Sequence, residues 1–191
     1  GLKSIHKDME KRHWEVAAGE KGGYGHFMLK GIMEQAQAGQ DTISPRIGDN
    51  GEIVLDGVTL TRSQLEKVNR IYIVACGSAY HVGMVGKVVI EQLTRIPVDV
   101  DLASEFRHRN PIVDDKTLAI VISQSGETAD TIAGLRELKQ RGARVLSVVN
   151  VVGSTIASES DDVLYTWAGP EIAVATTKAY STQLIMMYII G

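Results

Sequence analysis

The feature that most constrains this chain is a rhythm: five strand-like runs, each followed by a stretch of helix length or a helical turn. The runs fall at 71–75, 98–102, 118–123, 145–150 and 163–167. Helices are predicted near 80–93, 128–141 and 155–159, a short helical turn at 104–110, and a last helix after Thr177. Strands alternating with helices imply parallel pairing with helices on both faces of one sheet. Right-handed crossovers then give an α/β fold, a doubly wound five-stranded parallel sheet in an αβα sandwich of flavodoxin-like type. Composition agrees: 44% of residues are hydrophobic but only 5% aromatic, so the core is to be built from Val, Ile, Leu and Ala.

Upstream of residue 70 the pattern is different. Residues 1–40 read as a polar linker ending in a docking helix, with Phe27, Met28, Ile32 and Ala36 near helical spacing. Residues 46–55 read as a small hairpin around Asn50-Gly51. Thr61 with Gln64 has the spacing of a capping box and opens a short helix to about 68. One domain is therefore expected over 41–191, preceded by the linker and docking helix over 1–40. The apolar run 184–190 ends the sequence without the polar or basic stop signals of most helices. The expectation is a domain cut from a longer chain, or an apolar end that finds a partner surface.

A net charge of −3 gives no reason to expect nucleic acid as a partner. One cysteine, Cys76, allows no internal disulfide and points to a cytoplasmic protein. The first twenty residues lack a signal-peptide core, and no apolar run is long enough for a membrane span. No Cys/His cluster has metal-ligand spacing, so neither a metal nor another cofactor is expected.

In open α/β sheets, ligands bind beyond the carboxyl ends of the strands, and three loops fall there. Ser123-Gln124-Ser125-Gly126-Glu127-Thr128 gathers hydroxyls and an amide at a helix N-terminus, with Gly126 allowing close backbone approach. Such a loop suits a phosphate, although Ser and Thr also serve there as ordinary caps. Glu127 is expected as a first-turn acid rather than a ligand contact. The loop Cys76-Gly77-Ser78-Ala79 lacks dinucleotide spacing, and no nucleoside-triphosphate loop occurs anywhere. Gly77 and Ser78 could line a sugar pocket, whereas Cys76 reads as a small buried residue and His81 as a structural histidine. In the third loop, Thr176 and Thr177 look like caps, the backbone at Val174 and Ala175 could face a ligand, and Glu171 reads as a solvated acid. Glu105 and Arg107, near the second strand, could reach the pocket, but a surface ion pair explains them as well.

Together these loops resemble the sugar-isomerase domain, with wording nearest to the glutamine–fructose-6-phosphate amidotransferases. The resemblance also takes in His26-Phe27-Met28-Leu29-Lys30, Asp41-Thr42-Ile43, Ala103-Ser104-Glu105-Phe106-Arg107, Asn150 and Thr177-Lys178-Ala179. It implies the first of two sugar-isomerase domains in an enzyme making glucosamine 6-phosphate from fructose 6-phosphate and glutamine. It further implies that Ser123, Gln124, Ser125 and Thr128 hold the phosphate, and that Gly77, Ser78, Val174, Ala175 and Thr176 contact the sugar. Homodimers are common in the family. The glutaminase and the second isomerase domain, with its acid/base residues, are missing here, so the chain is expected to bind sugar phosphate without turnover and to contain no catalytic residue. Two departures stand out: Ala36 where relatives often carry proline, and Ala79 where they can carry serine.

Two other functions compete. One is a phosphosugar-sensing regulatory domain, although the first forty residues show no basic recognition helix. The other is a stand-alone aldose–ketose isomerase using Glu171 or His81 as base.

Overall fold

A computed structural model describes residues 19–191. The part of the expected linker over 1–18 lies outside the described residues. Five strands form one sheet: β1 (Arg70–Ala75), β2 (Val98–Leu102), β3 (Thr117–Ser123), β4 (Arg144–Val149) and β5 (Asp162–Tyr165). Their order is β2-β1-β3-β4-β5 and every pairing is parallel, as the alternation of elements requires. This is the flavodoxin-like order, in which the chain reverses its direction of winding between β1 and β3.

The period-2 geometry of the strands sorts their side chains into two cores. Ile71, Ile73, Leu118, Ile120, Ile122, Leu146 and Val148 point to one face, where α4 (Ser78–Thr94) and α8 (Lys178–Ile190) pack through Val82, Ile90, Met186 and Met187. Val74, Ala119, Val121, Val145 and Val149 point to the other. There α5 (Ala103–Phe106), α6 (Ala129–Gln140) and α7 (Thr155–Glu159) supply Phe106, Leu135, Leu138 and Ile156. Each large aliphatic side chain withdrawn in this way stabilises the fold by about 1.5–3 kcal/mol.

Elements before the sheet depart from expectation in instructive ways. The docking helix is two helices, α1 (Phe27–Met33) and α2 (Gln35–Ile43), meeting at Glu34, and α2 runs through residue 40. Most of the stripe expected to dock is turned outward: Met28 and Ile32 are 40% and 42% exposed and Ala36 is exposed, while Phe27 is half-buried. What packs inward is Lys30, Gly31, Ala38, Gly39 and Thr42. A Cβ on Gly39 would lie 3.2 Å from Ile185 Cδ1, so small residues let α2 lie close against α8. The hairpin reduces to one antiparallel bridge, Ile47 to Ile53, with the Gly51 amide closing a turn on Gly48 O around Asp49-Asn50. Gly51 follows in the left-handed region, φ 79°. The capping box forms as expected, Thr61 and Gln64 each accepting the other's backbone N–H at the start of α3 (Arg62–Leu65). Among the described residues no helix is long and apolar enough to cross a membrane.

Candidate functional site

Parallel register sets Ala75 beside Ile122, so the loops that follow β1 and β3 leave the sheet next to each other at the switch point. The segment after β5 folds back over them. Together the three loops enclose a cleft of about 310 Å³. Ser123, Gln124, Ser125 and Thr128 line it with Gly77, Ser78, Val174 and Thr176, so eight of the nine residues expected to bind a ligand converge. Ala175 is exposed and lies outside the lining.

The cleft receives the N-termini of two substantial helices, α4 and α6. Neither is closed by a side chain: Gly77 and Thr128 occupy the cap positions without a side-chain cap bond. Unpaired amides and the positive dipole ends are thus left open toward the cleft. Gly77 makes the turn into α4 at φ 57° and ψ −132°, a conformation that side-chain-bearing residues rarely adopt.

The 123–128 loop is held in shape from within. Ser123 Oγ accepts the Gly126 N–H at 3.0 Å and lies 3.4 Å from Thr128 Oγ1, and Ser125 Oγ accepts the Glu127 N–H at 3.2 Å. Both serine oxygens accept backbone N–H groups, which leaves the Ser125 hydrogen, and one hydrogen of the Ser123–Thr128 hydroxyl pair, available to donate. Donors at a dipole-positive helix end suit an anion, each bond to a charged acceptor contributing about 1.5–3 kcal/mol. Among the described residues lining the cleft there is no Lys or Arg, and Glu171 is the one acidic residue.

Three carboxylate and amide side chains have roles that local sequence rules missed. Glu127 is not in the first turn of α6. Its carboxylate accepts the Thr155 N–H and Oγ1–H, both at 2.8 Å, and so caps α7 from across the fold. Glu171 is no solvated acid: its Oε2 accepts from Thr177 N at 3.2 Å, Ala179 N at 3.1 Å and Thr176 Oγ1 at 3.5 Å. It caps α8, the task expected of Thr176 and Thr177; Thr177 Oγ1 is instead buried with no partner. Asn150 leaves β4 one residue before the strand was expected to end. It accepts from Thr166 Oγ1 and Ala168 N at 3.0 and 2.9 Å and donates to Gly169 O at 2.7 Å. That clamp holds Trp167 at φ 53°, which is why β5 stops short at Tyr165.

Gly126 also serves a close approach within the fold. At φ 68°, a Cβ there would lie 2.1 Å from Ser154 Oγ, so the residue lets the loop pass close to the start of α7. Cys76 lines the cleft and accepts from Thr131 Oγ1 at 3.6 Å. His81 is exposed on α4, its ring edge-on to Tyr80, and neither it nor Glu105 or Arg107 lines the cleft.

Residues 64–190 match the family model described as the SIS domain. The chain belongs to the SIS domain family. The switch-point cleft described above is therefore an SIS-domain cleft, and the match spans all five strands. The glutamine–fructose-6-phosphate aminotransferase (isomerizing) of Clostridium tetani is 61% identical over 189 residues, covering 99% of this chain and 31% of that protein. Its counterpart from Caldanaerobacter subterraneus subsp. tengcongensis is 60% identical with the same coverage. This SIS chain thus spans about a third of the length of the curated relatives it matches. Among solved structures, the C-terminal domain of glucosamine-fructose-6-phosphate aminotransferase from Francisella tularensis superposes with a TM-score of 0.84 at 44% identity, covering 90% of this chain and 48% of that one. Glucosamine-6-phosphate deaminase from Thermotoga maritima, at 23% identity and a TM-score of 0.69 over 86% of this chain and 47% of its own, shares the fold.

Proposed function

We propose that this SIS domain grips the phosphate of a hexose 6-phosphate, fructose 6-phosphate or glucosamine 6-phosphate, as part of the isomerase half of an enzyme that makes glucosamine 6-phosphate. One observation carries the reading: two uncapped helix N-termini and the side chains of Ser123, Gln124, Ser125 and Thr128 meet in one cleft. The phosphate sits on the 123–128 cradle, and the sugar extends toward Gly77, Ser78, Val174 and Thr176. The high identity to aminotransferases named for fructose 6-phosphate supports this choice of sugar.

The domain by itself binds without turning over. Glu171 is committed to capping α8 and His81 lies outside the cleft, so neither is offered as a base. The glutaminase and second isomerase domain of the parent enzyme are its partners, and the parent works in the cytoplasm as a homodimer. The exposed apolar row of Met84, Val88, Leu93 and Tyr188 is consistent with association. Sedimentation of the concentrated protein as a monomer would count against the dimer.

Ligand-induced thermal shift tests the site. Fructose 6-phosphate should raise the melting temperature, and unphosphorylated fructose should not. Ser125→Ala should reduce affinity by about tenfold or more, the equivalent of one charged hydrogen bond. A variant responding as the parent does would overturn the assignment. Assays for glutamine hydrolysis and for exchange of fructose 6-phosphate with glucose 6-phosphate should both read background.

A further inference from the structure

We propose that α1 and α2 act as a strap that sets the position of the third cleft wall, with the Glu34–Lys178 ion pair as the positioning contact. The inference rests on the sugar-phosphate reading given above.

Lys178 opens α8, is 5% exposed, and holds its Nζ 2.8 Å from Glu34 Oε2. A cation at a helix N-terminus opposes the helix dipole, and its burial adds a desolvation cost. Nothing local favours a lysine there. Its carboxylate partner comes from the junction between α1 and α2, far away in sequence, and is shared with Lys30 Nζ at 3.7 Å.

The strap then touches the loop at both ends. At the near end, Thr42 Oγ1 donates to Thr166 O just after β5. At the far end, Ser181 Oγ donates to Gln35 Oε1 within α8. Between them Gly31 presses on the turn into α8, where a Cβ would lie 2.6 Å from Thr177 Oγ1 and 3.2 Å from Glu171 Oε1. Glu171 faces two ways, lining the cleft and also a void of about 10 Å³ beside α1. Ile172, Val174 and Ala175 are exposed between these anchors, so their placement follows from the ends. A shift of α1 is therefore passed to Val174 and Thr176 on the sugar side of the cleft. The 123–128 cradle, which makes none of these contacts, stays where it is.

Calorimetric titration of Glu34→Gln, well below its melting temperature, separates this role from a merely structural one. Glutamine keeps the shape and an acceptor for Lys178 but removes the charge. Affinity for fructose 6-phosphate should fall about tenfold, while affinity for inorganic phosphate, which needs only the cradle, stays at the parental value. The charge-swapped pair Glu34→Lys with Lys178→Glu should recover part of the loss. Ser181→Ala, which removes the second tie, should show the same split more weakly. Equal loss for both ligands, or none for either in a folded variant, overturns the strap. Should the parent bind neither ligand, the sugar-phosphate reading fails on its own. Amide exchange over 172–177 then judges the strap: faster exchange in Glu34→Gln supports it, and unchanged exchange overturns it.

Discussion

Gly126→Ala should cost about 2–5 kcal/mol of folding stability and abolish the response to sugar phosphate. Two effects add. The φ of 68° costs a side-chain-bearing residue about 1–2 kcal/mol. The new methyl group would also sit 2.1 Å from Ser154 Oγ and 2.5 Å from Ser154 Cβ, an overlap costing about 1–3 kcal/mol. The strain falls between the cradle and α7, whose Ile156 N–H donates to Gly126 O at 3.0 Å. Urea denaturation should show a lower midpoint with an unchanged slope. Adding Ser154→Gly should restore the steric part, less a few tenths of a kcal/mol for the lost α7 cap. An unmoved midpoint for Gly126→Ala would show that the close approach is not needed.

Asp162→Asn should be nearly as damaging, and its effect should depend on pH. Asp162 begins β5, is 1% exposed, and accepts from Arg144 Nε at 2.7 Å and Nη2 at 3.1 Å. It also accepts from Thr59 N at 2.6 Å and Oγ1 at 2.9 Å, tying the segment before α3 to the sheet edge. Burial pushes its carboxyl up, but the hydrogen bonds from Arg144 and Thr59 and the guanidinium charge outweigh it and hold it below the ordinary value. Breaking a buried pair costs about 3–5 kcal/mol. Arg144, with a side chain 28% exposed, regains water when abandoned, which brings the expected loss to about 2–3 kcal/mol. Because the folded carboxyl titrates lower than the unfolded one, its contribution is complete above the unfolded pKa of about 3.9 and drains away as pH falls through the folded value. Parent and variant should therefore differ most near neutral pH and converge in acid. A gap that stays constant from neutrality to about pH 3 would show that the charge on Asp162 is not what matters.

The sheet was readable in the sequence because strands covered on both faces must be apolar at nearly every position, as at Ile71, Ile73, Val74 and Ala75. The cleft was readable because a switch point places the loops after β1 and β3 together whatever their composition. What stayed hidden depends on contacts between distant segments. Local capping rules look a few residues away, but Glu127 caps a helix beginning at Thr155, and Glu171 reaches past the two threonines that the rules favour. The docked face of α1 and α2 was misread because hydropathy weighs large side chains, whereas contact with α8 and the turn leading into it selects small ones such as Gly31, Ala38 and Gly39. Trp167 gives no local hint of a left-handed backbone; Asn150 imposes it from the end of another strand.

On the proposed reading, a cleft that takes an anion on helix ends and hydroxyls, with no Lys or Arg in its lining, has a short electrostatic reach. A helix terminus acts over about one turn, and added salt blunts mainly the long-range pull of exposed charges. Capture here should be a matter of chance encounter rather than guidance, with an on-rate that barely changes as ionic strength rises. The same economy works at departure, since no fixed positive charge has to be left bare when the bound sugar leaves.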